Sequence, residues 1–226
     1  MTVSTFYPDD HPESTSTDGY VGRDPASETW STIRTSAGDD RGATSTQAST
    51  AVNASGTTNQ WTLISRLVHL FDTSSLGSGA TISSATYGFV VTGTPVNSLN
   101  SARSLTAVVT NPASNTDLAV TDYNIARWDM TKQTDTDIAI AGITSDDSTY
   151  TLFTLNSTGL GNISKTGITK FGCVIDLDAE DDDGEWKVNG QCAVSTWTAD
   201  ENEAADIRPK LVVTYTLAFT PKVLMF

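Results

Sequence analysis

The sequence predicts an all-β fold: a two-sheet antiparallel β-sandwich, jelly-roll-like, with one or two short helices. Three observations carry that prediction. About nine short runs show strand-like patterning, with Gly, Ser, Asp and Asn clusters between them. Of the 226 residues only 18% are charged and 38% are hydrophobic, with Ser, Thr, Val, Ala, Gly and Asp filling much of the chain, a mix that favours strands and turns over long helices. No unit of 20 to 50 residues recurs, which argues against a propeller or solenoid.

The elements follow in chain order. Residues 1–28 carry Pro8, Pro12, Gly19, Gly22 and Pro25 and read as an irregular arm, with Phe6, Tyr7 and Tyr20 available to dock on the body. The run "TWSTIRTS", Thr29 to Ser36, alternates and reads as the first strand of a single sandwich domain over 29–217. A long Gly/Ser/Thr/Asp stretch then reads as an exposed loop. "WTLISRLVHLFD" and "TISSATYGFVVT" follow as a hairpin pair, the second with Ala85, Tyr87, Phe89 and Val91 in one inward row. "SLTAVVTNP" is a further strand, and "TDYNIARWD" is the best helix candidate, capped by Asp122. The second half contributes "TDIAIAGI", "TYTLFTLN", "ITKFGCVIDLD", "QCAVSTWT" and "KLVVTYTLAF" as strands, with a helical turn in "STGLGNISKTG". The expected core comprises Ile33, Leu67, Phe71, Ile82, Tyr87, Phe89, Val91, Val108, Leu152, Phe171, Val174, Leu211, Val213 and Tyr215. Residues 218–226 form an apolar tail, with Phe219, Leu224, Met225 and Phe226 expected to fold back or to meet another subunit, together with Phe6 and Tyr7 of the arm.

A formal net charge of −14 repels phosphate backbones and anionic lipid, so neither nucleic acid nor a membrane is an expected partner. The start "MTVSTFYPDDHPEST" lacks the basic and apolar regions of a signal peptide, and no apolar run is long enough to span a bilayer. Synthesis in a cytoplasm is the expectation. Cys173 and Cys192 are the only cysteines; two without further ligands make no tetrahedral metal site, and a cytoplasmic origin favours two buried thiols over the disulfide they would form if their strands were neighbours.

The candidate chemistry is thin. Only His11 and His69 are present, and His69 sits inside a strand on the face of Leu67 and Phe71, away from any exposed nucleophile. No catalytic residue is assigned. The acidic run "DLDAEDDDGEW" offers Asp176, Asp178, Asp181 and Asp183 as oxygen ligands for calcium, although a solvated loop is the competing reading and the EF-hand spacing is absent. Flat indole faces suit sugar rings, so Trp186, Trp61 and Trp197 are candidate carbohydrate platforms, Trp186 first because it adjoins the acidic loop.

Three segments together resemble a known family. "RLVHLFDTSSLGSGATISSATYGFVV" resembles the core of DNRLRE-type domains, in which a strand ending in Phe-Asp precedes a small-residue turn and a second strand. "IRPKLVVTYT" resembles their closing strand, and "TFYPD…DGYVGR…TWSTIR" is similar in style to phage proteins carrying such a domain. The chain departs from the pattern at His69-Leu70, where an arginine commonly stands. The resemblance implies a jelly-roll-like sandwich with no universal catalytic set. The functional expectation is a non-enzymatic virion protein of a bacteriophage, a capsid decoration or fibre component on the virion surface. It would act through contacts with other virion proteins or copies of itself. A carbohydrate-binding module is the alternative.

Overall fold

A computed structural model describes residues 1–184, 186–201 and 207–217. Among these residues fourteen strands run in chain order: β1 (Thr2–Phe6), β2 (Asp18–Arg23), β3 (Glu28–Thr29), β4 (Asp40–Gly42), β5 (Gln47–Ala54), β6 (Gln60–Asp72), β7 (Ala80–Asn97), β8 (Ser104–Thr110), β9 (Trp128–Asp129), β10 (Ile138–Ala139), β11 (Tyr150–Thr154), β12 (Ile168–Ile175), β13 (Gln191–Trp197) and β14 (Lys210–Leu217). Short helices α1 (Trp30–Thr35), α2 (Ser157–Gly161) and α3 (Asp176–Glu180) are set between them. The expected all-β sandwich is what the chain forms.

The hydrogen-bonded path runs β1-β14-β7-β11 in one layer and β13-β5-β6-β12-β8-β10 in the other. β7 belongs to both: its first part pairs with β14 and β11, and its last residues pair with β13. The layers meet through aromatic rings. Tyr87 of β7 stacks at 5.6 Å on Phe171 of β12 and on Phe153 of β11, and its edge meets Phe71 of β6 at 6.1 Å. Rings at such separations add to the stabilisation from burial itself.

Most of the expected core is buried, including Leu67, Phe71, Tyr87, Phe89, Val91, Phe171 and Val213. Two positions differ. Leu152 is 48% exposed while its neighbour Phe153 is buried, because β11 turns Thr151 and Phe153 inward. Ile82 is only partly buried.

Five expected elements are corrected. The arm is not wholly irregular, since β1 pairs with β14, and β2 pairs with β4 and β6. Gly19 and Gly22 looked like turn punctuation but lie within β2. Gly19 has φ 132°, and a Cβ there would sit 1.8 Å from the Gly42 carbonyl oxygen, so glycine is what lets β4 close on β2. "TWSTIRTS" contains helix α1 rather than a strand. The Thr29 hydroxyl caps it by accepting from the Thr32 amide, and a helical turn puts Trp30 and Ile33 on one buried face. The long stretch expected as loop contains β4 and β5, the latter held between β6 and β13. The helix expected at "TDYNIARWD" is two single 3-10 turns, Val120–Tyr123 and Ile125–Arg127, followed by β9. "TDIAIAGI" shortens to β10 and another such turn.

Candidate functional site

The tryptophans expected to face sugars are engaged within the fold. Trp61 is fully buried and meets Trp30 edge-on at 4.9 Å, so it is core and not a platform. Trp186 is partly buried against the core and donates its indole N–H to the Gln60 carbonyl at 2.9 Å. Trp197 donates to Asp147 at 3.2 Å and stays partly exposed on β13. Tyr20 lines an open groove beside Asp40, Gln47, Ser49, Leu63 and Ser65.

The acidic run is also spoken for. Asp178 is buried in α3 and takes a two-pronged ion pair from Arg66, Nε to Oδ2 at 2.6 Å and Nη2 to Oδ1 at 3.0 Å. Arg34 of α1 donates to the same carboxylate at 3.1 Å and to the Asp178 carbonyl. Asp181 accepts from Trp30 Nε1 and pairs with Arg34, each at 3.0 Å. Asp176 accepts from the amides of Ser104 and Leu177, and its carboxyl pKa is raised by burial. Asp183 stands exposed. Among the described residues no group of three or more His, Cys, Asp or Glu is placed to hold a metal. Among the described residues Asp176, Asp178, Asp181 and Asp183 are thus not gathered as one ligand set for the expected calcium, and guanidinium groups supply the positive charge at Asp178 and Asp181. Sequence reasoning missed this cluster. Its signal was Arg66 itself, a charge in the middle of the apolar run "LISRLVHLF".

His69 is fully buried, its Nδ1 2.6 Å from the Tyr87 hydroxyl while Nε2 has no partner, and burial pushes its pKa down to about 3. His11 lies on the surface beside Glu13 at 2.9 Å. The two cysteines are free and buried, on strands separated by β5 and β6. Burial pushes the Cys192 thiol up to about 12.

What the structure leaves open is the side of the sandwich between β11 and β10. In "YTLFT", Thr151 and Phe153 point inward, and Gly88 opposite Leu152 is what permits so close an approach. A Cβ on Gly88 would fall 2.5 Å from the Thr151 carbonyl oxygen. On the far side, β10 is fixed to β8, and the Ile140 amide donates to the Arg103 carbonyl at 3.0 Å. The two strands do not pair. Between them lie clefts of about 350 Å³ and 180 Å³ that share Ile138 and Leu152, making one open trough along β11. Asp135 and Asp137 line one end, and Asp137 is held by Lys132 at 2.7 Å.

At the opposite end of the same layer β1 pairs only with β14 among the described residues, leaving its outer edge bare. Val3 is 63% exposed there. Phe6 packs partly against the core and Tyr7 lies under the Arg208 guanidinium at 4.3 Å, so the two arm aromatics are partly docked inward. Phe219, Leu224, Met225 and Phe226 lie outside the described residues.

No protein-family model matches the chain, and no curated protein matches it at a significant level.

Proposed function

We propose that this protein is a structural component that works by assembling through its sheet edges, as a capsid decoration or fibre protein of a bacteriophage virion does. The observation that carries this reading is the chemistry of the two edge strands. "TVSTF" and "YTLFT" contain no charged residue and no proline, although the chain carries a net charge of −14. Exposed edges in proteins that stay apart are ordinarily guarded by lysine, proline or a bulge, because a bare row of amides and carbonyls recruits another strand. Among the described residues neither strand is paired along its outer edge, the β11 segment being met only past its end by the bridge between Leu155 and Thr134, and each presents an exposed apolar side chain, Val3 and Leu152. The resemblance of the β6–β7 segment, whose two strands lie in different layers and not as the expected hairpin, and of the closing strand to DNRLRE-type domains of phage proteins supports the same setting.

Guarding the edges tests it. Val3→Lys and Leu152→Lys place a charge on solvent-facing positions without touching the core. Each is expected to leave the melting temperature unchanged and to raise the concentration for half-assembly about tenfold or more. Sedimentation over a concentration series reads this out; a wild-type chain that stays monomeric with its partners supplied refutes the proposal.

A further inference from the structure

Resting on that assembly reading, we infer that the occupant of the β11 trough is β1 of a second copy, set antiparallel so that Val3 lies opposite Leu152. Strand direction is the first support. β14 runs antiparallel to β1, β7 antiparallel to β14, and β11 antiparallel to β7. β11 therefore runs opposite to β1, and a copy displaced along the layer adds its β1 with the alternation unbroken.

Side-chain alternation is the second. In β1 the outward positions include Val3 and Thr5, and the more covered ones are Ser4 and Phe6. In β11 Leu152 and Thr154 face outward, whereas Thr151 and Phe153 are buried. Because residues opposite one another share a face, only registers that place Val3 or Thr5 against Leu152 keep inside with inside. Val3 opposite Leu152 also sets Thr2 opposite Phe153, Ser4 opposite Thr151 and Thr5 opposite Tyr150, which overlaps four residues of each strand.

Shape and charge are the third. Across the trough β11 faces Ile138, Gly142 and Ile143, whereas β1 is paired on one side only among the described residues. Antiparallel pairing also brings the Phe6 end of β1 to the Tyr150 end of β11. At the first end stands Arg208 over Tyr7, with a buried Nε that has no hydrogen-bond partner and no carboxylate partner among the described residues. At the second stand Asp146 and Asp147, the former held ionised by hydrogen bonds from Thr149 and Ser148. Such a head-to-tail contact uses two different surfaces, so it builds a ring or a filament and not a closed pair.

Cysteine trapping tests the register. The Val3→Cys and Leu152→Cys chains, mixed under mild oxidation, are expected to give a cross-linked dimer that neither chain forms alone in comparable yield. The double variant is expected to give a ladder of higher multimers. Native Cys173 and Cys192 are buried and stay out of the reaction. Equal cross-linking of Val3→Cys with itself, or an assembled double variant with no ladder, overturns the inference while leaving edge assembly standing. A chain that sediments as a monomer at every concentration overturns both.

Discussion

Two buried residues at the inner face of the sandwich respond to pH in opposite directions. Unfolded, His69 takes up a proton near its ordinary value of 6.5, but in the fold it does so only near 3, because burial excludes the charged ring. Between these values the unfolded chain binds more protons, so stability is whole above pH 6.5 and falls by about 1.4 kcal/mol per pH unit on acidification toward 3. Asp18 is the converse. Burial raises its carboxyl pKa well above the ordinary 3.8, so its contribution is present below 3.8 and is lost as pH rises through the folded value. Urea midpoints across pH are expected to show a flatter acid limb in His69→Gln. In Asp18→Asn, which keeps an acceptor for the Ala199 amide, they are expected to rise at pH 7 and to be unchanged at about pH 3.

At the scale of elements, the ion-pair cluster ties four segments together. Arg66 on β6 donates to Asp178 on α3, to the carbonyl of Tyr123 in a 3-10 turn and to the carbonyl of Arg34 in α1. Its guanidinium also lies 4.3 Å over the Tyr123 ring, whose hydroxyl donates to the Ile33 carbonyl at 2.7 Å. Short helices of five or six residues have little stability of their own, so this charge pair and the buried Trp30, Ile33 and Leu177 are what hold them to the sheet. Arg66→Met is expected to cost about 3–5 kcal/mol by removing the two-pronged partner of a buried carboxylate and leaving it to Arg34 alone. The double variant Arg66→Met, Asp178→Leu should cost less than the sum of the two single changes. Chemical denaturation of the three variants measures the coupling.

For the whole molecule, charge and edge chemistry oppose each other. A net charge of −14 makes copies repel at long range, whereas hydrogen bonds between edges act only at contact. The Debye length falls from about 30 Å at 0.01 M to about 8 Å at 0.15 M. Assembly is therefore expected to strengthen as salt is raised across that interval, and light scattering at fixed protein concentration follows it. Assembly that weakens steadily with salt would mean that ion pairs such as Arg208 with Asp146 dominate the contact.

Local pattern alone determined the all-β class, the inward row Tyr87, Phe89 and Val91, the strand His69 sits in and the absence of charge from "TVSTF" and "YTLFT". Those features repeat every second residue along the chain, where they are visible without a partner. Tertiary structure decided the rest. Thr29–Ser36 is compatible with either period, and the buried slot beside Trp61 selected the helix. β5 exists because β6 and β13 flank it, and Gly19 belongs to a strand because β4 closes on it. Trp61 and the acidic run lost their expected roles to neighbours distant in sequence, Trp30 in one case and Arg34 and Arg66 in the other. The open trough is likewise invisible in one dimension, since it is the gap between two strand edges that the chain brings near but does not pair.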